Sequence, residues 1–308
     1  MDRINTAFDA FIAPDTYQRV DGVHPLDLYI GIDDRYRWTL LLICDIEPPA
    51  MDSSRMIAMQ KGKRTDGRWA VSLSLVDPEY KGIFLLFCGD IIDSSRMMSS
   101  KKEAVKFIAR RYKEWREMLA NSPREILSPS EIKGLLGEMY FLHSYLSVRY
   151  GIDNAVLSWT GPRKLPQDFI IDDTWYEIKT ISSGRAEVGI SSIEQLDCSN
   201  AGELVIIYAD KTSLTNERAI NLNQVYQQLL ERIQDDNVKT EFSNMLFRYG
   251  YYPRQEYETS EYAFEVKETI RFDVAGDFPC LHRSEMPKSV VQAEYTISLP
   301  AIKDFRKE

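Results

Sequence analysis

The chain has 308 residues, of which 44% are hydrophobic and 28% charged, as is usual for a folded protein of one large or two modest domains. The net charge of −9 argues against a protein that coats nucleic acid by charge alone. No run of about 18 apolar residues occurs, so no membrane partner is expected. Four widely spaced cysteines and the lack of a signal-peptide pattern predict a cytoplasmic protein.

The N-terminal part of the chain, from about residue 15 to 92, has the pattern of a β-rich region. The strand candidates are Leu26–Ile32, Trp38–Ile46, Met56–Gln60, Trp69–Leu75 and Ile83–Phe87. An Asp66-Gly67 turn predicts that the third and fourth of these strands pair. No set of catalytic residues is found in this region.

A basic amphipathic helix is predicted over residues 99–120, because apolar side chains recur at helical spacing. On the opposite face, Lys and Arg outnumber Glu. Contact with phosphate groups and simple solvation both explain that face, so both interpretations stay open. Asn121-Ser122-Pro123 ends the helix and predicts two domains, residues 1–122 and residues 123–308.

The second domain is predicted to open with a helix at Ser128. Ser128 and Glu131 have the spacing of a capping box, with proline at the first helical position. Glu138 lies on the apolar stripe of this helix. A buried acid needs a partner, so Glu138 either reaches a functional site or pairs with an Arg or Lys at the edge of the stripe.

Residues 168–180 have the pattern of a β-hairpin with its turn at residues 172–173. This register sets Asp168 opposite Glu177, with their Cβ atoms about 5 Å apart. Lys179 is two residues beyond Glu177 and therefore shares its face. Opposed carboxylates repel one another in a sheet, but they suit a hard divalent cation, which binds oxygen ligands.

The Glu-x-Lys spacing by itself is weak evidence, because it occurs four times, at Glu79, Glu131, Glu177 and Glu265. Only the Glu177 copy faces an acid across a hairpin. Glu265 and Lys267 lack such a partner and are expected to face solvent. The alternative for the hairpin is an exposed strand face held by salt bridges, although its apolar neighbours indicate a buried sheet.

Basic residues precede the hairpin and further elements follow it. Arg163 and Lys164 are candidates for contact with phosphate, although ordinary loop charges explain them equally well. Beyond the hairpin, the predicted elements are strand 186–190, buried strand 203–209, helices 221–234 and 238–249, and strands 262–274 and 292–299.

The pattern Asp168…Glu177-x-Lys179 resembles the D…(D/E)-x-K signature of the PD-(D/E)XK nuclease superfamily. The literal Pro-Asp pair is broken, because Gln167 stands between Pro166 and Asp168. The chain also resembles, over roughly residues 130–200, a bacterial family of PD-(D/E)XK-motif proteins found beside restriction–modification or phage-defence genes. The segments that carry this resemblance are Leu136-x-Glu138, Trp159-x-Gly161-Pro162, Asp168-Phe169, Glu177-Ile178-Lys179-Thr180 and Ile190-Ser191-Ser192-x-x-Gln195-Leu196.

The resemblance implies a mixed α/β (α+β) fold, in which a restriction-endonuclease-like core with a mixed sheet flanked by helices follows the β-rich region. It also implies a DNA endonuclease that depends on Mg²⁺, with Mn²⁺ as a substitute. Lys179 would orient the attacking water, and Gln195 would help to bind substrate or water unless it is an ordinary surface residue. The expected metal ligands are Asp168, Glu177, the Ile178 carbonyl and Glu138.

The partners implied by the resemblance are DNA, a methyltransferase or ATPase of a defence system, and a second copy of the chain in a homodimer. The competing interpretation is a catalytically silent subunit of the same fold that binds DNA or partner proteins in a larger defence complex. The acidic net charge favours this alternative, and the intact set of Asp168, Glu177 and Lys179 opposes it. A Ser or Cys hydrolase has little support, because no G-x-S-x-G motif occurs.

Overall fold

The computed structural model describes residues 2–96, 98, 100–120, 126–163 and 165–307. The chain divides into two compact units, Met1–Arg124 and Glu125–Glu308. The predicted domain boundary between residues 122 and 123 falls outside the described residues and stays a prediction. Within the described ranges, no helix combines the length and the apolar character needed to cross a membrane.

In its described residues the first unit contains a five-stranded antiparallel sheet and three α-helices. Its elements are α1 (Asp2–Asp9), β1 (Thr16–Arg19), β2 (Asp27–Ile32), β3 (Trp38–Cys44), β4 (Ile57–Lys63), β5 (Trp69–Leu75), α2 (Lys81–Ser95) and α3 (Lys101–Ala120). The strand order is β1-β2-β3-β5-β4. The predicted pairing across the Asp66-Gly67 turn is confirmed, because β4 pairs with β5 from Ile57 and Leu75 to Lys63 and Trp69.

Three features of this unit differ from the sequence prediction, the first being helix α1, which was not predicted. The segment Ile83–Phe87 was predicted to be a strand, but it lies in α2, and all five of its side chains are buried. A short continuous apolar run does not distinguish a buried helix from a buried strand, which explains the error. Strand β1 was not predicted, since its sequence Thr-Tyr-Gln-Arg has no apolar alternation.

The second unit contains a four-stranded mixed sheet and a separate two-stranded sheet. Its elements are α4 (Pro129–Phe141), α5 (Ser147–Tyr150), α6 (Ile152–Leu157), β6 (Phe169–Ile171), β7 (Thr174–Ile181), β8 (Glu187–Ile190), β9 (Gly202–Lys211), α7 (Leu222–Arg232), α8 (Asp236–Tyr249), β10 (Phe264–Val274) and β11 (Tyr295–Ser298). The order of the mixed sheet is β10-β9-β7-β6, with β7 and β9 parallel, and β11 pairs with β8. The predicted mixed α+β architecture is confirmed.

Strand β9 lies at the centre of this unit and is buried on both faces, as its apolar run predicted. Val205 and Ile207 on one face belong to a hydrophobic cluster with side chains of α4, α7 and α8. Leu204 and Ile206 on the other face pack with β8, β11 and a 3₁₀ helix, Leu299–Phe305. The mixed sheet therefore separates two hydrophobic cores.

Helix α4 approaches the mixed sheet unusually closely. It begins at the predicted capping box, in which Glu131 N–H donates to Ser128 Oγ and Ser128 N–H donates to Glu131 Oε2. A Cβ atom at Gly137 would lie only 1.8 Å from Thr180 Oγ1 on β7, so only glycine permits this approach. The next residue, Glu138, is thereby carried to the sheet.

Candidate active site

The hairpin of β6 and β7 forms in the predicted register. Phe169 pairs with Tyr176, and Asp172 in the turn has φ of +52°, which a short Asx side chain tolerates. Asp168 immediately precedes β6, and its Oδ2 accepts a hydrogen bond of 2.7 Å from Ile178 N–H. The hairpin therefore fixes the Asp168 carboxylate beside the middle of β7.

Glu177, Lys179 and Gln195 form one connected set of contacts. Lys179 Nζ lies 2.9 Å from Glu177 Oε1 and donates to Gln195 Oε1 at 3.2 Å. Gln195 Nε2 donates to the same Glu177 oxygen at 2.6 Å. The alternative of Gln195 as an ordinary surface residue is therefore wrong, because both ends of its amide are engaged within this set.

Glu138 reaches the same place from α4. Its side chain is buried, and its Oε2 accepts a hydrogen bond of 2.8 Å from Trp159 Nε1. A Cβ atom at Gly161 would lie 2.6 Å from this oxygen and 3.1 Å from Asp168 Oδ1, which places both carboxylates next to Gly161. Among the described residues Glu138 forms no ion pair, so it is not the Arg- or Lys-paired edge residue of the alternative interpretation.

Burial raises the pKa of all three carboxyl groups. The pKa of Glu138 lies well above its usual range because of burial and, secondly, the charge of Asp168. The same two causes raise the pKa of Glu177 to about 8, against the opposing effect of Lys179. Asp168 is partly exposed, yet dense packing around its carboxylate raises its pKa to about 6 despite the Ile178 N–H. The ionised form of each carboxyl group is disfavoured here and would be stabilised by a nearby positive charge.

The donor atoms of this site fit a hard divalent cation. Glu177 Oε2 is buried and has no hydrogen-bond partner among the described residues, which is costly unless another group contacts it. Among the described residues no three His, Cys, Asp or Glu side chains are arranged to hold a metal ion by themselves. A cation here would therefore use Asp168 and Glu177 together with backbone oxygen or water, with Glu138 beside them.

Sequence reasoning missed three residues that shape the site. Trp159 supplies the indole N–H to Glu138, and Gly161 leaves the space between Glu138 and Asp168. Gln167 donates to the backbone oxygen of Glu194 at 2.6 Å and so ties the start of the hairpin to the segment that carries Gln195. Two signals were available: the segment Trp159-x-Gly161-Pro162 carries part of the family resemblance, and a buried indole N–H requires an acceptor.

The remaining charged candidates from the sequence are not part of the acidic site. Arg163 forms an exposed ion pair with Glu241 at 3.2 Å, and Lys164 lies outside the described residues. Glu265 is buried, and its Oε2 lies 2.6 Å from Lys267 Nζ. The expectation that Glu265 faces solvent is therefore wrong. The hydrogen bond from Asn216 at 2.7 Å explains how this strand accommodates a buried acid.

Comparison with known proteins gives one match. A family model described as "Putative PD-(D/E)XK family member, (DUF4420)" matches residues 6–300. No curated protein and no solved structure matches the chain.

Proposed function

The chain belongs to the PD-(D/E)XK family DUF4420, and from this premise we propose that it is a DNA endonuclease that depends on a divalent metal ion. The mixed sheet with its flanking helices is accordingly a restriction-endonuclease-like core. Hydrolysis of phosphodiester bonds in DNA is the reaction that the family and the geometry of the site support best.

One observation carries the proposal: the family's motif residues converge on a single acidic site. Asp168 is held beside β7 by Ile178 N–H, and Lys179 contacts the buried Glu177. Three carboxyl groups with raised pKa values lie together without any described Arg contacting them. This arrangement is costly for a structural sheet and favourable for a cation site.

The residues present fit Mg²⁺, or Mn²⁺ as its substitute. Asp168 and Glu177 would hold the ion with the Ile178 carbonyl, and Glu138 would bind it or tune it from α4. When bound, the ion supplies Lewis acidity that stabilises negative charge developing on the phosphate. Mg²⁺ commonly binds through one or two carboxylates and retains several waters, which agrees with a site of few acids.

Lys179 and Gln195 would prepare the site for attack on phosphorus. The Lys179 ammonium is only partly exposed and is oriented by Glu177 Oε1 and Gln195 Oε1. From this position it would orient the attacking water and stabilise negative charge on the phosphate. Gln195 is itself held by Ser191 N–H at 2.7 Å, so the amide keeps Lys179 and Glu177 in place.

The decisive experiment compares Lys179→Ala with Asp168→Ala. Lys179→Ala should abolish nicking of plasmid DNA in Mg²⁺ and retain Mn²⁺ binding in calorimetry, because Lys179 is not a ligand. Asp168→Ala should lose both properties. The matched control is Lys211→Ala, which removes an exposed lysine that has no ion pair with a described residue. Equal cleavage by wild type and Lys179→Ala would show that the assigned chemistry is wrong.

We extend the proposal to a role in restriction–modification or phage defence, with a methyltransferase or ATPase as partner. This part rests on the family resemblance alone. Comparing methylated with unmethylated plasmid, with neighbouring gene products added, tests it. The competing function is a silent subunit, which the net charge of −9 favours. An inert wild-type protein that binds no metal with all partners present would establish that alternative.

A further inference from the structure

A cleft with a volume of about 420 Å³ opens in the second unit, and none of its lining residues belongs to the acidic site. It lies between the turn after β7, the strands β9 and β10, and the 3₁₀ helix Leu299–Phe305. We call it the basic cleft. Its charged and aromatic lining includes Arg185, Lys303, Arg306, Lys267, Glu268 and Tyr208.

The basic cleft has unpaired positive charge in a chain whose net charge is negative. Arg185 and Lys303 are exposed, and neither forms an ion pair with a described residue. Arg306 and Lys267, by contrast, pair with glutamates at 3.0 Å and 2.6 Å. Two free cations at one opening favour an anionic ligand, and a phosphate group is a suitable one.

An aromatic side chain lines the same cleft. Tyr208 lines the basic cleft and is partly exposed. Its ring packs against the hydrophobic cluster on this sheet face but has no ring–ring or cation–π contact with another described residue. Cations that track a phosphate backbone, combined with an aromatic surface for stacking, are typical of sites for single-stranded nucleic acid.

The basic cleft and the candidate active site lie on the same face of the mixed sheet. In the parallel pairing, Lys179 is opposite Ile206 and Ile181 is opposite Tyr208. Since alternate residues share a face, Tyr208 projects to the same side as Glu177 and Lys179. Tyr208 is one strand across and two residues along from Lys179, about 8 Å between Cα atoms. The hydrophobic cluster that contains Ile206 covers the sheet face between them, so a DNA strand that reaches both sites passes around its edge.

We propose that the basic cleft binds an unpaired segment of the DNA strand that is cleaved. Arg185 and Lys303 contact its phosphates, and Tyr208 stacks on one of its bases. A base in an intact duplex is already stacked and does not reach Tyr208. The inference rests on the proposed nuclease function and narrows its substrate class to DNA that contains unpaired nucleotides.

The test measures binding separately from cleavage. Fluorescence anisotropy in EDTA is recorded for a labelled oligothymidine and for its duplex with oligoadenine. Wild type should prefer the single strand. Arg185→Glu and Lys303→Glu should each weaken single-strand binding by about three- to tenfold. Tyr208→Leu should weaken single-strand binding by at least about fivefold. Tyr208→Phe should bind the single strand as wild type does, because the ring remains.

The matched control is Lys211→Glu, which reverses an exposed charge on β9. Lys211 projects to the opposite sheet face from Tyr208, because their positions differ by an odd number. This variant should bind DNA as wild type does. Equal loss with Lys211→Glu, or unchanged binding with Tyr208→Leu, would overturn the inference.

The outcomes for the two proposals are distinguishable. If wild type cleaves DNA and the cleft variants bind the single strand normally, the inference about the basic cleft is wrong and the nuclease proposal stands. If the cleft variants lose binding and no divalent metal supports cleavage by wild type, the basic cleft is a nucleic-acid site and the nuclease proposal is wrong.

Discussion

At the scale of single residues, Gln195 shows how a neutral side chain can control two charged ones. Its oxygen accepts from Ser191 N–H and Lys179, so its nitrogen always faces Glu177. Gln195→Ala should therefore lower kcat for DNA cleavage by about 10- to 100-fold, as is usual for groups that orient metal-site residues, with little change in KM. Gln292→Ala, at an exposed position, is the control. Unchanged kcat would show that Gln195 has only a structural role.

The pKa of Glu177 leads to a pH-dependent stability at the same scale. Its folded-state pKa of about 8 lies above the ordinary 4.5, so the stability it contributes is complete below pH 4.5 and is lost as the pH rises through 8. In EDTA, the free energy of unfolding of Glu177→Gln should equal that of wild type near pH 4.5. Above pH 8 it should exceed that of wild type by about 5 kcal/mol, because the pKa of Glu177 is raised from 4.5 to about 8. Urea unfolding across this range measures the difference, and parallel profiles would contradict the assignment.

At the scale of elements, the close approach of α4 to β7 can be tested with two glycines of one helix. Gly137→Ala places Cβ 1.8 Å from Thr180 Oγ1 and should destabilise the protein by about 1–3 kcal/mol while displacing Glu138. Gly134→Ala meets no atom within 4 Å and should stabilise the helix by about 0.5–1 kcal/mol. Thermal unfolding of wild type and the two variants measures both changes in stability.

A second-site change separates steric strain from other effects. Thr180 Oγ1 is buried and accepts or donates no hydrogen bond within the part of the chain that the structure describes, so removing it costs little. Thr180→Ala should therefore recover part of the stability that Gly137→Ala loses. If Thr180→Ala recovers none of the lost stability, the destabilisation by Gly137→Ala does not come from the contact with Thr180 Oγ1.

The sequence predicts local elements better than it predicts contacts between distant ones. The register of the β6–β7 hairpin follows from a short turn and apolar alternation, and the structure has the same register. Ile83–Phe87 is buried on every side, and a continuous apolar run does not show whether such a segment is a helix or a strand. The contacts of Gln195 with Glu177 likewise depend on how a later loop packs. Only the family resemblance made Gln195 a candidate.

At the scale of the whole molecule, every residue assigned to the candidate active site and to the basic cleft lies in the second unit. That unit contains its own two hydrophobic clusters on either side of β9. A fragment of residues 126–308 should therefore unfold cooperatively and bind Mn²⁺ with the affinity of the full chain. Circular dichroism and calorimetry measure both properties, and a fragment without a thermal transition would contradict this prediction.

The hydrogen bond from Trp159 to Glu138 also allows metal binding at the acidic site to be followed by luminescence that this tryptophan sensitises. Trp159 is fully buried, and its indole ring touches one of the acids that would surround a cation. Terbium(III) prefers oxygen ligands, and an excited indole at this distance would transfer energy to it. Binding would then appear as sensitised green luminescence, which Mg²⁺ would compete away and which Trp159→Phe would dim. The acidic site could thus be titrated in the absence of DNA.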